Sequence, residues 1–482
     1  MNRIESVKLE MRFNCFFNKI RTGMNMLNNE YGRGRFKIPA VELTPSQILV
    51  ISFLSVIFTG AFLLTRGFSA QPGVEITFID ALFTATSAVC VTGLACVDTP
   101  VCYSFTGQLI ILSLIQFGGL GIMTIVTFAM SAISARVSLK FRLFAREDRP
   151  CNTSIDLVEL IKYVFMITMV IEAAGAILLF LVFKCQKGYA VSKALYFGVF
   201  HSVSAFCNAG FALFSDNLMS FDGDIALNLV ITSLIITGGL GFNTIVDIVY
   251  YMRSKTRYQL SLNTKIVLVT TFIMLFIGTA LIFAIEYHNK GTIGNMNFET
   301  KLLASYFQSV TLRTAGFSTI DSGKLLLPSI LVCIIFMFIG ASPGGTGGGI
   351  KTTTTAILFK SIMRSIHDES QIVMFNRAVP KESISRAMAI FTISLILVLS
   401  GVFVLLFSEN CLFIEILFEV ISAFGTVGLS MGITGKLSVF GKLIICLIMF
   451  LGRVGSLTVV VALAKAKSKI DVRYPEETVL IG

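Results

Sequence analysis

Four short strings ending in glycine recur along the 482-residue chain. They are Cys90-Val91-Thr92-Gly93, Cys207-Asn208-Ala209-Gly210, Arg313-Thr314-Ala315-Gly316 and Gly425-Thr426-Val427-Gly428. Their glycines lie 117, 106 and 112 residues apart. Ten residues ahead of each stands Phe83, Phe200, Tyr306 or Phe418, and six ahead stands Ser87, Ser204, Val310 or Ser422. Glycine lets a backbone turn successive carbonyls the same way, which a Cβ resists. Four such loops around one axis would stack rings of carbonyls, and such rings can replace the hydration shell of a potassium ion. Small residues also let membrane helices pack closely. That plainer reading explains any one of these glycines, but not four in register.

A second echo follows each string by 24 to 28 residues, starting at Gly118, Gly238, Gly340 and Gly452. The third copy differs. Gly340, Ala341, Ser342, Pro343, Gly344, Gly345, Thr346, Gly347, Gly348 and Gly349 contain seven Gly or Pro, and no straight helix survives that. Irregular backbone at membrane depth lines a cavity or is buried in protein, so the stretch reads as a gate below the filter, in preference to a bare kink. Arg453 falls at the same depth and is expected to hold the gate's carbonyls and repel cations; the plainer alternatives are a pair with Asp247 or snorkelling. A cation aimed into the filter would block it. Arg313 must therefore point behind its loop, with Glu419 or Asp80 as expected partners. Glu172 reads as a buried, hydrogen-bonded helix contact, in preference to a pore role. The Thr352–Thr355 run could line a pore or only decorate a helix.

Two motif matches in the gate stretch are decoys. GGTGGGIKT lacks the Gly-Lys-Thr junction of a phosphate-binding loop, because Ile350 intervenes. Gly340 to Gly344 matches the G-x-S-x-G nucleophile elbow, which raises an intramembrane serine hydrolase. That chemistry needs a base. Only His201, His288 and His367 exist, and their positions map to a pore helix, an outer loop and a cytoplasmic loop. No enzyme activity and no organic cofactor are expected.

The elements that would position these loops follow from composition. Hydrophobic residues make up 55% and charged residues 14% of the chain, against about 25% charged in a soluble protein. A soluble enzyme, a disordered chain and a nucleic-acid-binding domain are poor fits. About 20 apolar residues span a bilayer. Eight runs qualify: 46–65, 107–135, 163–183, 225–246, 266–285, 325–350, 387–408 and 443–464. Shorter apolar segments near 81–94, 194–211, 302–317 and 412–429 read as re-entrant half-helices whose negative dipole ends favour a cation. The expected fold is all-α and membrane-integral: four pseudo-repeats of helix, pore loop and helix around one pore. Their bounds are 46–135, 157–251, 266–363 (with the gate at 340–349) and 387–465, between a basic segment 1–45 and a tail 466–482. With both termini in the cytoplasm, 25 of the 39 Lys and Arg fall on that side and nine outside, a positive-inside bias that also accounts for the net charge of +11. The ten cysteines lack CxxC pairs and read as small buried hydrophobes, and no signal peptide is expected in the polar, basic first 45 residues.

The strings VTGL, NAGF, TAGF and TVGL, with the Gly-rich insert 340–349, resemble the Trk/Ktr/HKT superfamily of potassium transporters. They look most like the membrane subunit of a Ktr-type system, over roughly residues 46–465. The resemblance implies potassium uptake across the cell membrane, with sodium dependence open. It also implies a homodimer and a separate cytoplasmic ring of nucleotide-binding regulatory subunits, with lipid as the surrounding partner and no nucleic acid. A pore subunit of an ATP-driven potassium pump is the alternative within transport.

Overall fold

The computed structural model describes residues 45–121, 157–253, 259–367 and 371–455, together with Thr458. The basic segment up to residue 44 and the tail 466–482 lie outside the described residues. Apolar chain in lipid must satisfy its own backbone, so it becomes helical. In chain order the helices are α1 (Pro45–Leu64), α2 (Phe78–Cys90), α3 (Phe105–Leu120), α4 (Leu157–Leu181), α5 (Val191–Phe206), α6 (Ile225–Leu240) and α7 (Phe242–Arg253). They continue as α8 (Leu262–Glu286), α9 (Phe298–Thr311), α10 (Leu327–Phe338) and α11 (Thr352–Ile366). A small antiparallel hairpin, β1 (Val373–Met374) and β2 (Arg377–Ala378), leads to α12 (Lys381–Ser408), α13 (Phe413–Gly425) and α14 (Val439–Val454).

Among the described residues, α1, α4, α8 and α12 are long and apolar enough to cross a membrane. They keep large apolar side chains exposed outward, such as Phe58, Phe62, Phe272, Phe276, Phe403 and Phe407. Each packs on the half-helix that follows it: α1 on α2, α4 on α5, α8 on α9 and α12 on α13. The half-helices form the centre. From Ala81 to Cys90 in α2 and from Phe418 to Gly425 in α13, almost every residue is buried. The helix after each loop then packs on the half-helix of the next segment. Helix α3 meets α5, α6 meets α9, α10 meets α13, and α14 returns to α2. Tyr196 of α5 donates its hydroxyl to the Gln108 side-chain oxygen of α3 at 2.7 Å, and Lys442 of α14 pairs with Asp80 of α2 at 2.7 Å.

Of the eight runs read as full spans, those that follow a pore loop are interrupted, and three of these breaks were not expected. Helix α3 ends at Leu120 on Gly121, with φ +79°, and α14 ends at Val454 on Gly455, with φ +93°. Run 225–246 is broken at Gly241, φ +88°, where α6 and α7 meet at a 98° bend. Run 325–350 stops at Phe338, as the Gly/Pro stretch from Gly340 leads one to expect. The last glycine of each GGLG-type string adopts a left-handed backbone that ends a helix. Counting apolar residues cannot see that break.

Candidate functional site

The four strings come together at the buried centre. Val91, Asn208, Thr314 and Thr426, each two residues before its glycine, all have left-handed backbone, with φ +56°, +58°, +69° and +51°. Three of the four are β-branched, for which this conformation is a genuine outlier. Strain of about 1–3 kcal/mol per residue is held only where the surroundings over-determine it. The glycines have φ +92°, +70°, +73° and +91°. A Cβ on Gly93 would stand 2.7 Å from the Ala209 carbonyl oxygen, and one on Gly210 would stand 2.8 Å from the Gly316 Cα. On Gly316 it would be 2.7 Å from the Val427 oxygen and 3.2 Å from that of Thr92. On Gly428 it would strike the Thr92 oxygen, with the Gly93 Cα at 3.0 Å. Each glycine is therefore flanked by the backbone of a neighbouring string.

The half-helix ends fix these loops. Thr92, Ala209 and Val427 each donate a backbone N–H to the carbonyl five residues earlier, at Ser87, Ser204 and Ser422. The Ser87 and Ser422 hydroxyls accept from Gly93 N and Gly428 N at 3.1 Å, while the Ser204 hydroxyl donates to the Phe211 carbonyl at 2.7 Å. The third loop is one residue tighter. Ala315 N reaches back only four residues to Thr311, whose hydroxyl donates to Phe317 O at 2.5 Å. Thr311 therefore does what Ser204 does in the second loop, and the sequence register that put Val310 there is corrected. Outside the third loop, the Asn217 amide donates to Gly316 O at 3.2 Å. Nothing in the sequence marked Asn217 except a polar residue in a turn, where its φ is +58°.

Arg313 is 3% exposed and points behind its loop, as expected, but its partner is different. It donates to the Thr271 hydroxyl of α8 at 3.1 Å. The expected partners are engaged elsewhere: Asp80 pairs with Lys442, and Glu419 accepts from Thr434. Cys90 and Cys207 are buried free thiols. Among the described residues no cluster of His, Cys, Asp and Glu could hold a metal.

Directly beneath lies the stretch from Gly340 to Gly349. A parallel bridge between Ile339 and Ile350 closes its neck, with Gly340 N donating to Ile350 O at 2.8 Å. Ala341, Ser342, Thr346, Gly347 and Gly348 are buried. The stretch leans on the glycine end of α6: Ser342 N donates to Gly239 O at 3.1 Å, and Thr346 N to Gly238 O at 3.3 Å. Beyond the break, Phe242 N donates to Gly344 O at 3.1 Å. Upward, Gly348 N donates to the Thr426 hydroxyl at 2.8 Å, and Gly347 sits against the Thr314 hydroxyl. Two cations hold it from below and beside. Lys351 Nζ donates to Gly347 O at 2.7 Å. Arg453 donates through Nη1 to Thr346 O and through Nη2 to Gly118 O. One guanidinium thus joins the loop to α3, a link the sequence placed in depth but not in partner.

Among the described residues no histidine is hydrogen-bonded to the serine in this stretch. The Ser342 hydroxyl accepts from that of Thr352 at 3.1 Å. His201 is engaged by the Phe197 carbonyl and the Leu213 N–H, His367 by Met363 O, and His288 lies against Tyr287.

Comparison with known proteins agrees with this architecture. Residues 29–471 match the family model described as TrkH, cation transport protein. The chain is similar to the Ktr system potassium uptake protein B of Bacillus subtilis (strain 168), 41% identical over 442 residues, covering 92% of this chain and 98% of that one. It is 38% identical over 455 residues to the protein of the same name from Vibrio alginolyticus, covering 93% and 99%. It is also 38% identical over 447 residues to the potassium/sodium uptake protein NtpJ of Enterococcus hirae, covering 92% and 98%. The crystal structure of the potassium transporter TrkH from Vibrio parahaemolyticus shares the fold at a TM-score of 0.69 and 16% identity, covering 90% of this chain and 87% of that one. By the extent of these matches the chain belongs to the TrkH family of cation transport proteins.

Proposed function

We propose that this protein takes potassium into the cell through a single pore built from four pseudo-repeats. The filter is made of the carbonyls of Cys90–Gly93, Cys207–Gly210, Arg313–Gly316 and Gly425–Gly428. The stretch 340–349 closes the path below, held by Arg453. The membrane potential drives entry, at about 2.3 kcal/mol per charge per 100 mV. The observation that carries the reading is the mutual approach of Gly93, Gly210, Gly316 and Gly428, in a left-handed conformation that only a defined backbone task justifies. Three relatives are named for potassium or potassium/sodium uptake, which supports potassium as the cargo and leaves room for sodium. The proposal places both termini in the cytoplasm, pairs the chain with a second copy, and seats a nucleotide-binding ring on its cytoplasmic face.

Cells lacking their own potassium uptake test it. Expression should restore growth at low potassium. Gly93→Ser, which sets a side chain 2.7 Å from the Ala209 carbonyl, should weaken discrimination against sodium. Unchanged relative uptake of the two ions would remove Gly93 from the filter. A monomeric mass in mild detergent would remove the dimer.

A further inference from the structure

Glu172 lies at mid-length on α4 and is 6% exposed. A carboxylate at such depth is expensive and marks a functional site unless a cation neutralises it. Among the described residues Glu172 forms no ion pair. Instead, the Gln116 amide of α3 donates to both carboxylate oxygens, at 3.1 and 3.2 Å. The Cys207 sulfur lies 3.8 Å from the Glu172 Oε1 and 3.7 Å from the Gln116 Oε1. Cys207 opens the second filter string. The Ser202 hydroxyl of α5 donates to the Glu172 backbone carbonyl at 2.6 Å, and Gly175 leaves the room for that hydroxyl.

The turn of α3 that carries Gln116 is a junction. Gly118 offers its carbonyl to Arg453, and a Cβ on Gly119 would stand 2.5 Å from the Cys207 sulfur. One turn thus touches the second filter string, the buried acid behind it and the arginine that holds the stretch below. Behind the third string a cation, Arg313, meets a neutral hydroxyl instead.

We infer that Glu172 is a positioning residue for ion selection: held by Gln116, its carboxyl group fixes Cys207 and with it the second loop. This inference rests on the filter reading proposed above. A buried acid that only filled space could be exchanged for its isostere without a change in selectivity. One that positions the filter could not.

The test uses the full chain in potassium-uptake-deficient cells, comparing Glu172→Gln, Glu172→Asp and Gln116→Leu with the parent and with Gly210→Ala. The readouts are surface expression, KM and maximal rate for potassium, and the sodium-to-potassium uptake ratio. Glu172→Gln and Gln116→Leu should each raise the KM and the sodium ratio by roughly three- to tenfold at near-parental expression. Glu172→Asp should recover part of both. Altered expression or maximal rate with KM and ratio unchanged would reduce Glu172 to packing and overturn the inference. If the parent takes up no potassium, or Gly210→Ala leaves selectivity intact, the filter reading itself fails and takes the inference with it. Failure in the Glu172 and Gln116 variants alone, with Gly210→Ala altered, sinks only the inference.

Discussion

The four loops at the centre and the four segments beneath them obey different rules. At Val91, Asn208, Thr314 and Thr426 the backbone is left-handed all four times, with a positive-φ glycine two residues further on. Below, three segments end a helix on a glycine, at 121, 241 and 455, while the third opens into an irregular stretch from Gly340 to Gly349. A ring that must dehydrate an ion evenly needs equivalent walls. A plug that closes one path needs a single insert. On the function proposed above, the likeness above serves selection and the difference below serves gating.

The sharpest way to break the upper half is to put bulk where the loops meet. A Cβ on Gly316 would face the Val427 oxygen, the Gly210 Cα and the Thr92 oxygen, and φ there is +73°. Gly316→Val should cut selective potassium uptake by roughly a hundredfold or more, combining strain of about 1–3 kcal/mol with a blocked path. Gly73 is the comparison. Its φ is +83°, yet a Cβ there meets nothing within 4 Å. Gly73→Ala should cost about 1 kcal/mol of stability and leave the uptake rate near parental. Equal loss in both variants would mean that backbone strain, not the meeting of loops, decides the outcome.

The lower half breaks in the opposite direction. Removing Gly344–Gly348 deletes the contacts to Gly238, Phe242 and Thr426 that seat the insert. Uptake should rise, by about tenfold if the closed form is favoured by about 1.4 kcal/mol. Arg453→Ala frees Thr346 O and Gly118 O. It should raise flux about two- to fivefold, less than the deletion because the other contacts remain. A deletion that inserts normally and conducts no faster would leave the stretch as a kink.

How far the sequence led depended on repetition. Four copies of a string expose a common task, so the loops, the half-helices before them and the odd third insert were all legible. Breaks and partners were not. Gly241 sits in an apolar run, and only its φ of +88° and the 98° bend reveal the break. Arg313 chose Thr271 over two acids because packing of α9 on α8 brings that hydroxyl near, whereas Lys442 holds Asp80. Thr311 replaced Val310 because the third loop turns one residue sooner. That last correction is itself testable. Thr311→Val removes a buried bond to Phe317 O, worth about 1 kcal/mol, and should shift the sodium-to-potassium ratio several-fold. Val310→Thr should not rescue it.

The smallest expected effect lies at Ser342. As a nucleophile it would be indispensable, and removing a triad member costs several orders of magnitude. As part of the insert it needs only to be small and to accept from Thr352 at 3.1 Å, while its backbone N–H holds Gly239 O. Ser342→Ala keeps the size and the backbone bond and loses the hydroxyl. The Thr352 hydroxyl is left to find another acceptor, a loss of about 0.5–1.5 kcal/mol, or roughly tenfold at most. Potassium uptake should therefore stay within that limit. The direction should be toward easier opening, because one tie between the insert and the start of α11 has gone. Paired measurement with the Gly344–Gly348 deletion checks the assignment: on the deleted background Ser342→Ala should add nothing, since the closed form that its tie to Thr352 supports is already lost. Additive effects would place Ser342 outside the gate, and labelling of Ser342 by a serine-directed phosphonate would restore the hydrolase reading.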